Sequence, residues 1–382
     1  MVEPVKVLAV VYQMNLGGLE SRLMDIIRKI DYSRVKLDVF TYRLHKGRLD
    51  DEILEYGGRI YYNPPLTPQN IFWYVRYFRD FLKNHPEYKI VHAHQDAWCS
   101  VFCKGAYLAG VPVRVAHSRT AVSTFSFSNL MKNVIKLPAA RYATHYFAVS
   151  KLAGIWLFGE KAVQEGKVQI WKNAIDCKAF RYDRDRRSKV REELGIADKK
   201  VIIHVGNFTP PKNQDFLLEI MKKLLVYHSD YYLLFAGGET EAGLQAKARE
   251  KAVSLGISQN VNFLGSRNDI SDLLQAADVF CFPSLFEGLP GAVLEAQAAG
   301  LPCIISASIT EEVKVLETTK MISLKEKADA WAGEIKKSLN AERRDTFEKM
   351  AHAGFDIEKL VIDLTNFYET TGRETNAIRQ NR

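Results

Sequence analysis

The stretch PSLFEGLPGAVLEAQAAGLP, Pro283 to Pro302, decides how this chain is read. It follows VFCF, Val279 to Phe282, a short apolar run with the composition of a buried strand. The spacing then predicts a loop and a helix of about ten residues, with Pro290 at the first helical position and Gly300 in a left-handed cap at the end. The free N–H groups between Leu289 and Ala292, together with the positive end of the helix dipole, would form a seat for a phosphorylated ligand at the carboxyl end of the strand. Glu287 lies in the loop and Glu295 roughly two turns inside the helix, so the two carboxylates of this E-x7-E pair approach one ligand from different sides. As isolated evidence the pair is weak, because most helices bracketed by Pro and Gly bind nothing. The rest of the chain has to supply the context.

At 382 residues the chain fits two domains, each able to bury its own core. Its 47% hydrophobic and 26% charged residues are ordinary for a globular protein, and no apolar run reaches the roughly 20 residues needed to cross a bilayer. The first residues, MVEPVKVLAVV, lack the long apolar core of a signal peptide and read as a first buried strand, so a cytoplasmic protein is expected. Cys99, Cys103, Cys177, Cys281 and Cys303 lie mostly in apolar stretches without zinc spacing, and buried thiols are expected. The net charge of +8 is uneven: residues 1–180 carry 25 Lys and Arg against 15 Asp and Glu, and residues 181–382 carry 28 against 30. The basic half calls for an anionic partner. With no nucleic-acid motif and no dense basic stripe, nucleic acid is not expected, and an anionic membrane surface or a lipid diphosphate is.

Short apolar runs alternate with amphipathic stretches throughout, which argues for parallel strands joined by crossover helices. Val5–Tyr12 reads as a strand ending in QMNLGG, where Gly17 and Gly18 let backbone approach a ligand. This is not GxGxxG, so the dinucleotide fingerprint is absent. Ile90–His94, IVHAH, places His92 and His94 at alternate positions, but a metal pair needs further converging ligands and none is evident in the sequence, so no metal is expected. In VRVAHSR, Val113–Arg119, the spacing brings His117 out at a strand's carboxyl end with Arg119 close by for a phosphate. Residues 120–143 turn Ser- and Phe-rich and then amphipathic, with Lys132 and Lys136 beside apolar residues. The default reading is a packed surface helix, and the functional one is a membrane-docking rim. In the second half, Lys200–Val205 and Tyr231–Ala236 read as strands followed by the loops GNFTPPKN and Gly237-Gly238, and Ile357–Tyr368 as a last helix with a polar, frayed tail from Thr370.

The string SxxEGxPxxxxEAxxxGxP, met by Ser284, Glu287, Gly288, Pro290, Glu295, Ala296, Gly300 and Pro302, resembles the hallmark of the family-four retaining glycosyltransferases of the GT-B fold. The likeness extends to both ends of the chain. It implies an α/β protein of two Rossmann-like, doubly wound parallel-sheet domains facing across a cleft: residues 1–175 for the acceptor, 176–353 for the nucleotide-sugar, and 354–382 as a C-terminal helix returning to the first domain plus the tail. By resemblance, Gly17 and Gly18 lie against donor diphosphate and acceptor, with Glu20 a weaker third. His117 contacts the donor sugar, Glu287 its hydroxyls and Glu295 the ribose. Lys212, Gly288, Leu289 and Pro290 hold the diphosphate, and Arg267 is a stacking or phosphate partner. The family's loop carries an Arg where this chain has Asn207, and an amide brings no charge and no bidentate fork. The implied activity is metal-independent, cofactor-free hexosyl transfer from a nucleotide-sugar, with UDP-sugar favoured, to a saccharide acceptor. That acceptor is expected to be lipid-linked, at the inner face of the plasma membrane, in surface polysaccharide synthesis. Asn207, Gly291 and Ala307 motivate the rival expectation of a catalytically degenerate partner subunit, and an epimerase or phosphorylase of the same fold is a weaker third.

Overall fold

The computed structural model describes residues 3–15, 17–119, 133–239 and 243–380, with side chains described as far as residue 373. The chain divides into one unit formed by Met1–Ala174 with Ile357–Arg382, and a second formed by Ile175–Asp356. In the first, β1 (Val5–Val11), β2 (Val35–Thr41), β3 (Ile60–Tyr62), β4 (Ile90–Ala93), β5 (Val113–Ser118), β6 (His145–Ala148) and β7 (Val168–Ile170) form one sheet in the order β3-β2-β1-β4-β5-β6-β7. In the second, β8 (Lys200–Val205), β9 (Tyr231–Ala236), β10 (Val261–Phe263), β11 (Val279–Phe282), β12 (Cys303–Ser306) and β13 (Thr319–Ile322) are ordered β10-β9-β8-β11-β12-β13. Neighbouring strands pair in parallel throughout. Strands buried on both faces by crossover helices read as continuous apolar runs, which is why their positions were visible in the sequence.

Each sheet reverses its strand order once, between β1 and β4 and between β8 and β11. The connections on either side of such a reversal leave in opposite directions, so a crevice opens beyond the strands' carboxyl ends. The loops after β1, β4, β8 and β11 therefore mark where each unit can hold a ligand. In the second unit these loops are stitched together by backbone: the N–H of Gly206 donates to Ala236 at 2.8 Å, that of Phe208 to Gly238 at 2.8 Å, and that of Gly237 to Gly265 at 2.9 Å. The strands lie so close that a Cβ on Gly237 would sit 2.0 Å from the carbonyl oxygen of Gly206.

The helix of the opening stretch is shorter than its pattern predicts. It spans Gly291–Ala298, and Pro290 stands before it as the capping residue with ψ 115°, not inside the first turn. Gly300 adopts φ +69°, the left-handed stop that only glycine takes without strain. The C-terminal helix is longer than expected, running Ile357–Gln380. Its Ile357, Val361, Leu364 and Tyr368 are buried in the same core as Val7, Ile26, Ile27 and Ile90. The tail from Thr370 continues this helix because its polar residues bond along it: Glu369 to Arg373 at 2.8 Å and the Thr371 hydroxyl to the Phe367 carbonyl at 2.7 Å. Gly372 lets the helix lie close to β1, since a Cβ there would come 2.7 Å from Val5. All five cysteines are buried free thiols.

Two predictions about stability follow from these cores. His92, His94, His117 and His204 are buried, and burial pushes each imidazole below the usual histidine range, with Arg119 opposing protonation of the first three and Lys212 that of His204. The unfolded chain binds protons at these histidines as pH falls below about 6.5 and the folded chain does not, so stability is present at neutral pH and is lost on acidification. Denaturant titrations between pH 7 and 5 should show stability falling by up to about 1.4 kcal/mol per pH unit for each such histidine, and replacing one by Gln should flatten the slope. Gly237→Ala should cost the second unit about 1–3 kcal/mol in the same titration, because the added methyl meets backbone that cannot yield.

Candidate functional site

In the second unit the loops after β8 and β11 bring opposite charges together. Residues 210–212 form a single 3-10 turn, and Asn213 follows in the left-handed region at φ 55°, where Asn is tolerated better than most side chains. The Asn213 amide donates to the Pro283 carbonyl at 3.1 Å, and the Leu285 N–H to the Pro211 carbonyl at 2.7 Å. These two bonds tie the loops, and between them Lys212 Nζ lies 2.7 Å from Glu287 Oε1. Both side chains are about four-fifths buried. The ammonium also sits 4.6 Å from the centre of the Phe282 ring. Below it, His204 donates from Nδ1 to the Cys281 carbonyl at 3.1 Å and stacks on Phe282, while burial and the charge of Lys212 press its pKa down to about 3. A protonated Nδ1 is the form that satisfies a carbonyl, so His204 is a neutral packing residue.

The helix Gly291–Ala298 begins directly after this loop, and its first turn has no side-chain cap. Among the described residues the N–H groups of Gly291 and Ala292 have no partner, while that of Val293 turns back to the Pro290 carbonyl at 3.2 Å, and the helix end concentrates positive potential at the loop that carries Glu287. Glu295 is buried in the body of the same helix, and Leu289 is buried beside its start. Asn207 occupies the position of the expected arginine, and its side chain is a structural tie: Oδ1 accepts the Gly238 N–H at 3.0 Å, and its own carbonyl accepts from Gln214 Nε2 at 3.0 Å. An arginine has no acceptor and could not make the first bond. Arg267 is paired with Asp269, Nε to Oδ1 at 2.8 Å, at an exposed position.

The first unit gathers imidazoles. Parallel pairing sets His92 of β4 opposite Val115 of β5, which brings His117 near the end of β4. His92, His94 and His117 present nitrogens that all lie within 4.8 Å of one another. The sequence offered only His92 and His94 as a pair; the third imidazole comes from the strand register, which no spacing displays. His92 Nε2 is 3.0 Å from His117 Nδ1, and His92 Nδ1 is 2.6 Å from the Tyr368 hydroxyl. Arg119, nine-tenths buried, donates from one guanidinium nitrogen to His94 Nδ1 at 2.8 Å and from another to Asn173 at 3.0 Å. Burial lowers its pKa to about 10, still charged at neutral pH. That fixed cation opposes a second positive charge among the histidines and occupies one of their nitrogens. The three histidines, Arg119 and Tyr368 line a cavity of about 20 Å3.

Gly17 stands as the capping residue of helix Gly18–Lys29 with extended backbone, and a Cβ there would lie 2.2 Å from the Glu20 carboxylate. Glu20 itself has its pKa raised by burial. Lys136 donates to the Trp156 carbonyl at 2.6 Å and lies over the Trp156 ring, while Lys132 falls outside the described residues. The sequence missed Tyr368 as a site residue, although it ends the stretch read as the last helix, because its hydroxyl reveals nothing until the helix is packed.

These arrangements can be set against known proteins. Residues 16–179 match the model of "Glycosyltransferase Family 4" and residues 186–354 that of "Glycosyl transferases group 1". The chain is 36% identical over 371 residues to the putative glycosyltransferase EpsF of Bacillus subtilis, covering 95% of this chain and 96% of that one. It is 26% identical over 372 residues to the capsular polysaccharide biosynthesis glycosyltransferase CapH of Staphylococcus aureus, covering 95% and 98%. It is 29% identical over 231 residues to an Escherichia coli UDP-Gal:alpha-D-GlcNAc-diphosphoundecaprenol alpha-1,3-galactosyltransferase, covering 58% of each. Among solved structures, Anabaena HepE in complex with UDP superposes with a TM-score of 0.78 at 19% identity over 96% of this chain and all of that one, and HepE is also known with UDP-glucose. With a full-length relative at this identity, two adjoining family matches and the same pair of parallel sheets, the chain belongs to the family-four glycosyltransferases of the GT-B fold.

Proposed function

We propose that this glycosyltransferase moves a hexosyl group, with retention of configuration and without a metal, from a UDP-sugar to a saccharide carried on a lipid diphosphate during surface polysaccharide assembly. The observation that carries the reading is the Lys212–Glu287 pair at the strand reversal of the second sheet, next to an uncapped helix N-terminus. An ammonium has three donors, so Lys212 keeps Glu287 with one and offers others to the diphosphate. The first-turn N–H groups of helix Gly291–Ala298 take the remaining phosphate charge as the sugar–phosphate bond breaks. Glu287 then faces sugar hydroxyls and Glu295 the ribose; Gly17, Gly18 and His117 belong to the acceptor and reacting-sugar side, with Arg119 holding the imidazoles in place. Asn207 contributes through its amide N–H groups, its oxygen being committed to Gly238. The capsular and lipid-diphosphate activities of the named relatives support the setting, and their UDP-sugar chemistry supports the donor.

The missing arginine favours one second reading, a glycosyltransferase fold kept for binding. A radiolabelled panel of UDP-, GDP- and ADP-sugars with membrane extract as acceptor separates the two. Transfer from a UDP-sugar is expected, falling about 10²- to 10³-fold in Lys212→Ala as a charge-stabilising donor is lost. Donor-dependent thermal stabilisation without transfer from any sugar would establish the binding subunit instead.

Peripheral membrane docking is proposed from the first unit's apolar rim. Lys136 ties residues 133–137 to helix Lys151–Phe158, and Val134, Leu137 and Leu152 stay exposed there at 62%, 72% and 54%. Because Lys136 caps the Trp156 carbonyl, the apolar residues are the ones to test. Leu137→Asp with Leu152→Asp should abolish sedimentation with vesicles containing phosphatidylglycerol; undiminished sedimentation would sink the docking surface.

A further inference from the structure

Tyr368, on the C-terminal helix, ends a buried chain of polar groups that reaches His117. Its hydroxyl is fully buried, and burial keeps it protonated by pushing its ionisation well above the usual tyrosine range. Among the described residues its hydrogen-bond partner is His92 Nδ1 at 2.6 Å. A buried O–H must be given an acceptor, and if His92 donated from Nδ1 the tyrosyl hydrogen would have none. Tyr368 therefore donates, and His92 Nδ1 accepts. His92 is neutral, so its proton sits on Nε2, which points it at His117 Nδ1 at 3.0 Å. His117, accepting at Nδ1, carries its own proton on Nε2. That nitrogen is buried and has no partner among the described residues.

We propose that Tyr368 is a positioning residue which, through His92, holds His117 as the Nε2–H tautomer, so that the chain of bonds ends in a hydrogen-bond donor for an oxygen of the bound sugar or phosphate. The cavity of about 20 Å3 lined by His117 and Arg119 has room for a single such oxygen. Arg119 Nε is likewise buried without a partner among the described residues, so the two residues that line the cavity each hold an unused donor. The opposite tautomer would present a lone pair, which repels a phosphate oxygen and can only accept from a sugar hydroxyl, reversing the bond. The relay itself stands on the bonds described; its consequence for turnover rests on the reading of His117 as a contact to the reacting sugar.

The full-length protein labelled with 15N-histidine, examined by two-bond 1H–15N correlation with His117→Gln used for assignment, reports the tautomer directly. Wild type should show His117 protonated at Nε2 alone. Tyr368→Phe, which removes the hydroxyl and little else, should convert it to a mixture of tautomers. In the UDP-sugar transfer assay the same variant should lose about tenfold in kcat with donor KM within about twofold, a split that loss of a transition-state contact produces and general loosening does not. His117 protonated at Nδ1 in wild type, an unchanged tautomer in Tyr368→Phe, or metal-ligated imidazole shifts abolished by EDTA would each overturn the relay. His117→Ala transferring sugar at the wild-type rate would remove His117 from the proposed reaction while leaving the tautomer result intact.

Discussion

The pairing of Lys212 with Glu287 is the constraint around which the second unit is arranged. An ion pair that is about four-fifths buried is not a source of much net stability, because desolvation offsets most of the attraction. It persists because the Asn213 side chain and the Leu285 backbone already hold its two loops together. The strained left-handed Asn213, the 3-10 turn before it and the uncapped helix after Glu287 are all costs to folding that concentrate at one edge of one sheet. Such costs gather where a ligand is expected to repay them.

Asn207 shows how a departure from a family pattern acquires a local reason. The loops after β8 and β9 approach so closely that Gly237 admits no side chain against the backbone of Gly206. In that confined space the N–H of Gly238 needs an acceptor, and Asn207 Oδ1 supplies it. An arginine would bring charge to the same loop and leave that N–H unsatisfied. The substitution therefore exchanges an electrostatic role for a structural one, and the positive potential of the site falls to Lys212 and the helix N-terminus.

Much of this was legible in the sequence. Lys200–Val205, Tyr231–Ala236 and Val279–Phe282 stand where their apolar runs put them, since a parallel strand covered on both faces has no polar face to confuse its limits. The carboxylate pair and Lys212 fall in the predicted loops and helix. What escaped depends on atoms brought together from distant positions. Pro290 moved out of the helix because its own backbone stays extended, a one-residue shift below the resolution of any pattern. The third histidine needed the register of β4 against β5, and the Tyr368 hydroxyl needed a helix more than 270 residues along the chain from His92. The polar tail was read as frayed from composition alone, whereas Glu369 with Arg373 and the close passage of Gly372 over Val5 extend the helix.

The first unit is discontinuous in sequence: its sheet is finished by residue 170, yet the helix that buries Val7, Ile26 and Ile90 begins at residue 357. During synthesis at roughly 5–20 residues per second, that apolar surface would wait on the order of ten to forty seconds for its cover. The second unit, Ile175–Asp356, is contiguous and is made entire in that interval. The domain that starts the chain is therefore the last to close, and a nascent chain arrested between the two events would present a bare hydrophobic stripe to chaperones.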